Sequence, residues 1–131
     1  MKHMMNQRNT RLLRTAAVLV GLLGVLTMSA SAMHIAEGVK GKKLAIPMYI
    51  LVSSHALQMA QRMGVADVLA EAGAEIIADS CPDQPCWHYL KGKVGITESP
   101  KCAYYPRRRG IHFIIRDLDT CIQAALTGEV K

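Results

Sequence analysis

The chain has 131 residues and a mass of 14.3 kDa, the size of one domain. It is 50% hydrophobic and 20% charged, which excludes a disordered polar tail. The formal net charge is +6. Four of the 16 basic residues lie within residues 1–32, before the first acidic residue, Glu37, and residues 33–131 contain 12 basic and 10 acidic residues. The rest of the chain is nearly neutral, so no nucleic-acid partner is expected, because such a protein needs a basic face.

Residues 1–32 have the pattern of an export signal or a short membrane anchor. A cationic stretch over residues 2–14 precedes an uncharged run, Thr15–Met28, and small residues follow at Ser29–Ala32. As a helix, the uncharged run would span roughly 21 Å, less than the ~30 Å hydrocarbon core of a bilayer. We therefore predict an apolar N-terminal helix that is separate from a body at residues 33–131. The alternatives are a helix that belongs to the fold and an unrelated leader joined by a misplaced start codon.

The body alternates predicted strands and helices. An apolar run, Leu44–Val52, predicts a strand buried on both faces, although Pro47 within it indicates an edge position or a bulge. Shorter apolar runs predict three more strands, Glu75–Ala78, Lys93–Thr97 and Ile111–Ile115. Apolar periodicity and capping residues predict four helices, at His55–Met63, at Ala66–Ala72, at Lys101–Tyr105 and from Asp117 to about Leu126.

This alternation predicts an α/β fold, a mostly parallel sheet with flanking helices. Strands separated by helices favour parallel pairing through right-handed crossovers. In such sheets, sites gather in the loops beyond the carboxyl ends of the strands. Three loops with polar or sulfur side chains qualify, Ser53–His55, Asp79–Trp87 and Thr97–Lys101.

Cys81 and Cys86, spaced C-x4-C in a loop between two apolar strands, are the most unusual feature. Thiolates suit both iron and zinc. One pair is not a complete site, and Cys102 and His88 are the nearest candidates to complete it. The spacing alone leaves disulfides open, as well as inert thiols, with Cys86 and Cys121 as small buried side chains.

The segment Thr97–Lys101 places hydroxyls and an ammonium group at a predicted helix start. Backbone N–H groups and the helix dipole favour an anion there, so Ser99 and Lys101 are candidates for holding a substrate carboxylate. The alternative is a capped helix start with a solvated lysine. The run Arg107–Arg109 is interpreted as a solvated face, with an anion or partner contact as the alternative.

Six segments of the body have the order and spacing of one known family: Gly41–Lys43, Val52–Ser54, Ala60–Gly64, Ala78–Pro82, Thr97–Tyr105 and Cys121–Gly128. From about His34 to Val130 the chain thereby resembles the C-terminal part of the aconitase X family catalytic domain. That family includes cis-3-hydroxy-L-proline dehydratases and the large subunit of phosphomevalonate dehydratase. The form SPKCAYY, at Ser99–Tyr105, is more similar to the hydroxyproline branch.

The resemblance implies an aconitase-like αβα layer and a hydro-lyase that acts on a small hydroxy acid such as cis-3-hydroxy-L-proline or phosphomevalonate. It implies an iron–sulfur cluster held by three cysteines, and Cys81 is similar to one of these ligands. It also implies substrate-binding residues at Ser53, Ser54, Ser99 and Lys101. The remaining cluster ligands and the catalytic base are not identified in this chain.

A family catalytic domain is much longer than the matching region and works with a smaller swivelling domain. We therefore expect a cytoplasmic fragment that is inactive alone, whose partners are the missing catalytic part or a swivelling-domain subunit. Two other interpretations stay open. One is a small α/β binding module with oxidised cysteines, exported or anchored through residues 1–32, and the other is a subunit that completes its site with a partner chain.

Overall fold

A five-stranded parallel sheet forms the centre of the protein. The computed structural model describes residues 18–21 and 25–130. The strand order is β3-β2-β1-β4-β5, and each neighbouring pair is parallel. The strands are β1 (Val18–Gly21), β2 (Met48–Val52), β3 (Glu75–Ala78), β4 (Val94–Thr97) and β5 (His112–Ile115). The predicted mixed α/β class with parallel strand pairs is confirmed.

Among the described residues, five α-helices alternate with the strands, the last of them after β5. They are α1 (Val25–Val39), α2 (Ser54–Arg62), α3 (Val65–Ala72), α4 (Pro100–Tyr104) and α5 (Leu118–Thr127). The four helices predicted for the body correspond to α2 to α5, with ends that differ by one residue. Two 3-10 helices were not predicted, Pro85–Leu90 and Tyr105–Arg109.

The central strand lies within the leader-like segment. Val18 of β1 is paired with both Met48 of β2 and Ile96 of β4. Helix α1 continues across the predicted boundary after residue 32. The rest of the predicted apolar helix lies outside the described residues, and the boundary stays a prediction that the mass of the recovered protein would test. Within residues 18–21 and 25–130, no helix is both long and apolar enough to cross a membrane.

The buried side chains form two clusters, which make the two layers that cover the sheet. The larger cluster joins α1, α3 and α5 to β2 and β4, and its least exposed members include Ile35, Val39, Ile96, Cys121 and Ala125. The smaller cluster joins the 3-10 helix Pro85–Leu90 and α4 to β2 and β5, through Leu51, Trp87, Leu90, Cys102, Ala103, Ile111 and Phe113. Helices on both faces are typical of parallel sheets.

Pro47 directly precedes β2, and β2 is an interior strand. The prediction of an edge position or a bulge is therefore wrong. The backbone N–H groups of Ala45 and Ile46 donate to the carbonyl oxygen of Ala125, at 2.8 and 3.3 Å, so this part of the apolar run is a connection. The strand begins only after the proline, where its missing N–H costs no ladder hydrogen bond.

The N-cap of α5 predicts a pH dependence of stability. The Asp117 carboxylate accepts hydrogen bonds from the backbone N–H of Thr120 at 2.9 Å and from its hydroxyl at 2.7 Å, which lower the pKa of Asp117 below its usual 3.8. A lowered pKa stabilises the fold above about pH 3.8, and this contribution is lost as the pH falls through the folded-state value. We expect the Tm difference between the protein and Asp117→Asn to shrink below that pH.

Asparagine is a comparable N-cap without a carboxylate, so Asp117→Asn isolates the charge. Asp117→Ala removes the cap and is expected to lower the Tm by a few degrees even at neutral pH. Thermal unfolding followed by circular dichroism between pH 7 and pH 2.5 measures both effects. A Tm difference between the protein and Asp117→Asn that is constant with pH would contradict the assignment.

Candidate functional site

Three loops leave the sheet at one edge, after β2, β3 and β4. Val52 is in register with Ala78, so the loops that follow β2 and β3 start side by side. The chain order reverses at β1, because β2 and β3 lie on one side of it and β4 and β5 on the other. Ligands of such sheets bind outside the carboxyl ends of the strands where the order reverses.

Asp79 connects the first two loops. Its backbone N–H donates to the carbonyl oxygen of Val52 at 2.8 Å, and its carboxylate accepts from the N–H of Ser54 at 3.1 Å and from the Ser54 hydroxyl at 2.8 Å. The hydrogen bonds from Ser54 lower the pKa of Asp79. Its φ of +53° is left-handed, a conformation that aspartate tolerates better than most residues. Asp79 is a site residue that the sequence analysis did not single out.

Ser53 and Ser54 have structural partners. The Ser53 hydroxyl caps α2 by accepting from the N–H of Ala56 at 3.3 Å, and the Ser54 hydroxyl donates to Asp79. Neither serine lines the cavity that the other predicted residues share. Their predicted contact with substrate stays a prediction. In the structure, Ser53 caps α2 and Ser54 connects the loop after β2 to Asp79 in the loop after β3.

A cavity of about 170 Å³ opens between the three loops. It brings together Cys81, Ser99 and Lys101, which were predicted from separate segments. Its other lining residues are apolar or sulfur-containing for the most part: Leu51, Val52, Ser80, Pro82, Cys102, Tyr105 and Pro106. The cavity therefore places one exposed ammonium group, a buried hydroxyl and two thiols in largely apolar surroundings.

The β4–α4 connection fixes the buried hydroxyl. Ser99 is 5% exposed, and its hydroxyl accepts from the N–H of Cys102 at 3.3 Å, while its own N–H donates to the hydroxyl of Thr97 at 3.2 Å. Burial raises the pKa of the Cys102 thiol. Helix α4 has only five residues, so its dipole adds little, and the Lys101 ammonium group is the positive charge among the residues that line the cavity.

Trp87 anchors the loop that carries Cys81. Its indole N–H donates to the Ser80 hydroxyl at 3.0 Å, and that hydroxyl donates to the Gln84 side-chain oxygen at 2.9 Å. The indole is 2% exposed, and its ring lies edge-on to Tyr49 at 5.3 Å. From the sequence, Trp87 was noted only as the end of a loop. Its anchoring role could have been suspected because it is the sole tryptophan of the chain and lies next to the unusual cysteine loop.

The cysteines are all free thiols, and they lie in different surroundings. Cys81 is half-buried and Cys102 buried at the cavity, whereas Cys86 is exposed, so the interpretation of Cys86 as a buried apolar side chain is wrong. Cys121 is fully buried in the larger cluster, and burial raises the pKa of its thiol to about 12. The inert interpretation fits Cys121.

The described residues do not supply a complete metal site. In residues 18–21 and 25–130, no group of three or more histidine, cysteine, aspartate or glutamate side chains could hold a metal ion. The cavity offers two thiols, Cys81 and Cys102, and burial disfavours the thiolate of Cys102. An iron–sulfur cluster with three cysteine ligands therefore does not fit this part of the chain by itself.

The fold and this edge define a doubly wound α/β domain with a cavity at the reversal of strand order. Residues 26–127 match the family described as aconitase X third domain, and the chain belongs to that family. No curated protein matches the chain. The chain is similar in structure to holo-form aconitase X of Thermococcus kodakaraensis, with a TM-score of 0.71 and 22% identity. The match covers 94% of this chain and 32% of that one, so this chain spans about a third of that protein.

Proposed function

We propose that this chain is the C-terminal part of an aconitase X-type hydro-lyase and is inactive alone. The observation that supports the proposal is the cavity, which gathers Cys81, Ser99 and Lys101 in a domain that belongs to the aconitase X third-domain family. Its volume of about 170 Å³ is below the roughly 300–1,000 Å³ of complete ligand sites, as expected of one wall of a larger site.

The proposed substrate is a small hydroxy acid, such as cis-3-hydroxy-L-proline or phosphomevalonate. Lys101 is exposed at the cavity and binds the substrate carboxylate through its ammonium group. Ser99 supplies the neighbouring hydroxyl, oriented by its hydrogen bonds to Thr97 and Cys102. Ser53 and Ser54 act mainly by holding the β2 and β3 loops in place.

Cys81 is the proposed cluster ligand of this chain. It lies half-buried in the cavity, within reach of solvent, whereas Cys102 is more deeply buried. Since the described residues lack a full ligand set, the other ligands come from the remaining catalytic part of the enzyme. This arrangement also describes the subunit interpretation, in which a partner chain completes the site. A cytoplasmic location is proposed, as for the family.

Anaerobic reconstitution tests this proposal. The full chain is incubated with iron and sulfide, alone and together with an aconitase X protein from which the matching third has been deleted. We expect cluster absorbance and dehydration of cis-3-hydroxy-L-proline or phosphomevalonate only in the mixture. The two substrates are assayed separately, because the branch of the family is decided by which one is consumed.

Cys81→Ser is expected to abolish the cluster and the activity of the mixture. Cys86→Ser is the matched control, because Cys86 lies five residues further on, in the 3-10 helix that follows the loop, and is exposed and does not line the cavity. A stable cluster and substrate turnover by the chain alone would overturn the inactive-fragment proposal.

A further inference from the structure

The loop between β3 and the 3-10 helix Pro85–Leu90 is attached through Asp83 to the 3-10 helix Tyr105–Arg109, and both segments contribute lining residues to the cavity. The Asp83 carboxylate accepts from Nε of Arg108 at 2.9 Å, from a second nitrogen of the same guanidinium, and from Nε of Arg109 at 3.3 Å. Its side chain is 16% exposed, although that of Arg108 is 67% exposed. Two guanidinium groups, both solvent-accessible, therefore converge on one half-buried carboxylate.

The attachment lies beside the cavity. Asp83 directly follows Pro82, and the two arginines follow Tyr105 and Pro106 in the next 3-10 helix; all three of these neighbours line the cavity. The Arg108 guanidinium therefore joins the loop to the 3-10 helix Tyr105–Arg109 next to the cavity that both segments line. A two-nitrogen fork of this kind fixes orientation as well as distance.

Cys81 lies between two fixed points of the loop. On its amino side, the Ser80 hydroxyl accepts from the indole N–H of Trp87 at 3.0 Å, and on its carboxyl side Asp83 is held by the arginines. Only Cys81 and Pro82 separate these two anchors. Release of the second anchor would remove the side-chain constraint on the carboxyl side of Cys81, whose carbonyl oxygen also accepts from the Gln84 N–H at 3.0 Å.

We propose that Asp83, Arg108 and Arg109 form an ionic clasp that positions the Cys81 thiol in the cavity. The three are positioning residues, since none of them lines the cavity. The inference goes beyond the proposed function, because the clasp orients Cys81 whether or not this thiol binds a cluster. It also gives a role to two residues of the arginine run that the sequence analysis interpreted as a solvated face.

The clasp is tested by the rate at which iodoacetamide alkylates each cysteine of the full chain, measured by mass spectrometry. Exposed Cys86, in the 3-10 helix that follows the loop, is the internal reference, and buried Cys121 reports global unfolding. We expect Asp83→Asn to raise the rate at Cys81 relative to Cys86 about two- to fivefold, the range for an exposed ion pair, with Cys121 unreactive. Asp67→Asn, at an exposed aspartate of α3, is the control and is expected to change nothing.

A second variant separates geometry from local charge. Arg108→Gln removes a positive charge near Cys81, whereas Asp83→Asn removes a negative one. A local charge effect would therefore change the Cys81 alkylation rate in opposite directions, and a higher rate in both variants indicates loss of positioning. The variant that combines Asp83→Asn and Arg108→Gln is expected to alkylate at Cys81 about as fast as either single variant, because both substitutions break the same contact. Asp83→Glu keeps the carboxylate and is expected to restore part of the protection.

Salt gives an independent measurement on the unaltered protein. Since exposed charges are screened within about 3 Å at 1 M ionic strength, 1 M NaCl is expected to raise the Cys81 rate in the unaltered chain and not in Asp83→Asn. Opposite rate changes in Asp83→Asn and Arg108→Gln would overturn the clasp. So would an unchanged Cys81 rate in both variants, or the absence of any salt effect on the unaltered chain.

Discussion

A chain that begins at Met33 is expected not to fold cooperatively. This truncation deletes β1, the central strand, and the first half of α1, whose second half places Ile35 and Val39 in the larger cluster. The backbone groups of β2 and β4 that face β1 would lose their partners, and each buried orphan costs about 1–3 kcal/mol. Several such losses exceed the roughly 5 kcal/mol that stabilises a small domain.

The control is a chain that begins at Thr15, which retains β1 and α1. Circular dichroism during thermal unfolding distinguishes the two, and we expect a single cooperative transition only for the longer chain. A cooperative transition of the Met33 chain at a similar temperature would show that the body folds without β1, as the division at residue 32 predicts.

Trp87→Ala is expected to destabilise the protein by about 3–5 kcal/mol. The indole is 2% exposed, fills the smaller cluster and packs edge-on against Tyr49, so its removal leaves a cavity beneath the Cys81 loop. The substitution also removes the hydrogen bond to Ser80. Urea unfolding followed by circular dichroism measures the change, because the variant has no tryptophan for fluorescence.

Two variants separate packing from the hydrogen bond. Trp87→Phe keeps an aromatic ring without the N–H donor, and we expect it to cost about 1–2 kcal/mol, the sum of a lost hydrogen bond and a small volume change. Tyr104→Ala removes an aromatic ring that is 70% exposed, and we expect a change within about 0.5 kcal/mol. An equal effect of Trp87→Ala and Tyr104→Ala would contradict the anchoring role of the indole.

Much of the body was predictable because its signals are local. Glu75–Ala78 is an apolar run between turn residues, and it is strand β3 with the same ends. Asp117 was predicted to start a helix, and its carboxylate accepts a hydrogen bond from the backbone N–H three residues later. Ser53 and Ser99 cap α2 and α4 in the same way. Capping depends on a few consecutive residues, so the sequence contains the information.

The leader-like segment shows where a local apolar signal is ambiguous. A strand at the centre of a parallel sheet is buried on both faces, and its sequence is a continuous apolar run. The apolar part of an export signal has the same composition. Composition therefore cannot distinguish a buried strand from the apolar part of an export signal. In the structure, the backbone of Val18–Gly21 pairs with β2 and β4.

The sequence predicted which residues lie at the site better than it predicted which of their side chains line the cavity. Parallel topology predicts that the loops after the strands converge, and Cys81, Ser99 and Lys101 do share a cavity. Ser53 and Ser54 come from a loop at the same edge, but Ala56 and Asp79 occupy their hydrogen bonds. Which side chains face the cavity depends on these competing partners.

The sequence by itself determined the alternation of strands and helices, the capping residues and the three loops that carry polar and sulfur side chains. The tertiary structure decided the position of β1 in the sheet, the cavity and the contact of Asp83 with Arg108, 25 residues further along the chain. The physical reason is the range of the interactions. Turns and caps depend on neighbouring residues, whereas strand order and ion pairs between distant segments depend on how those segments pack.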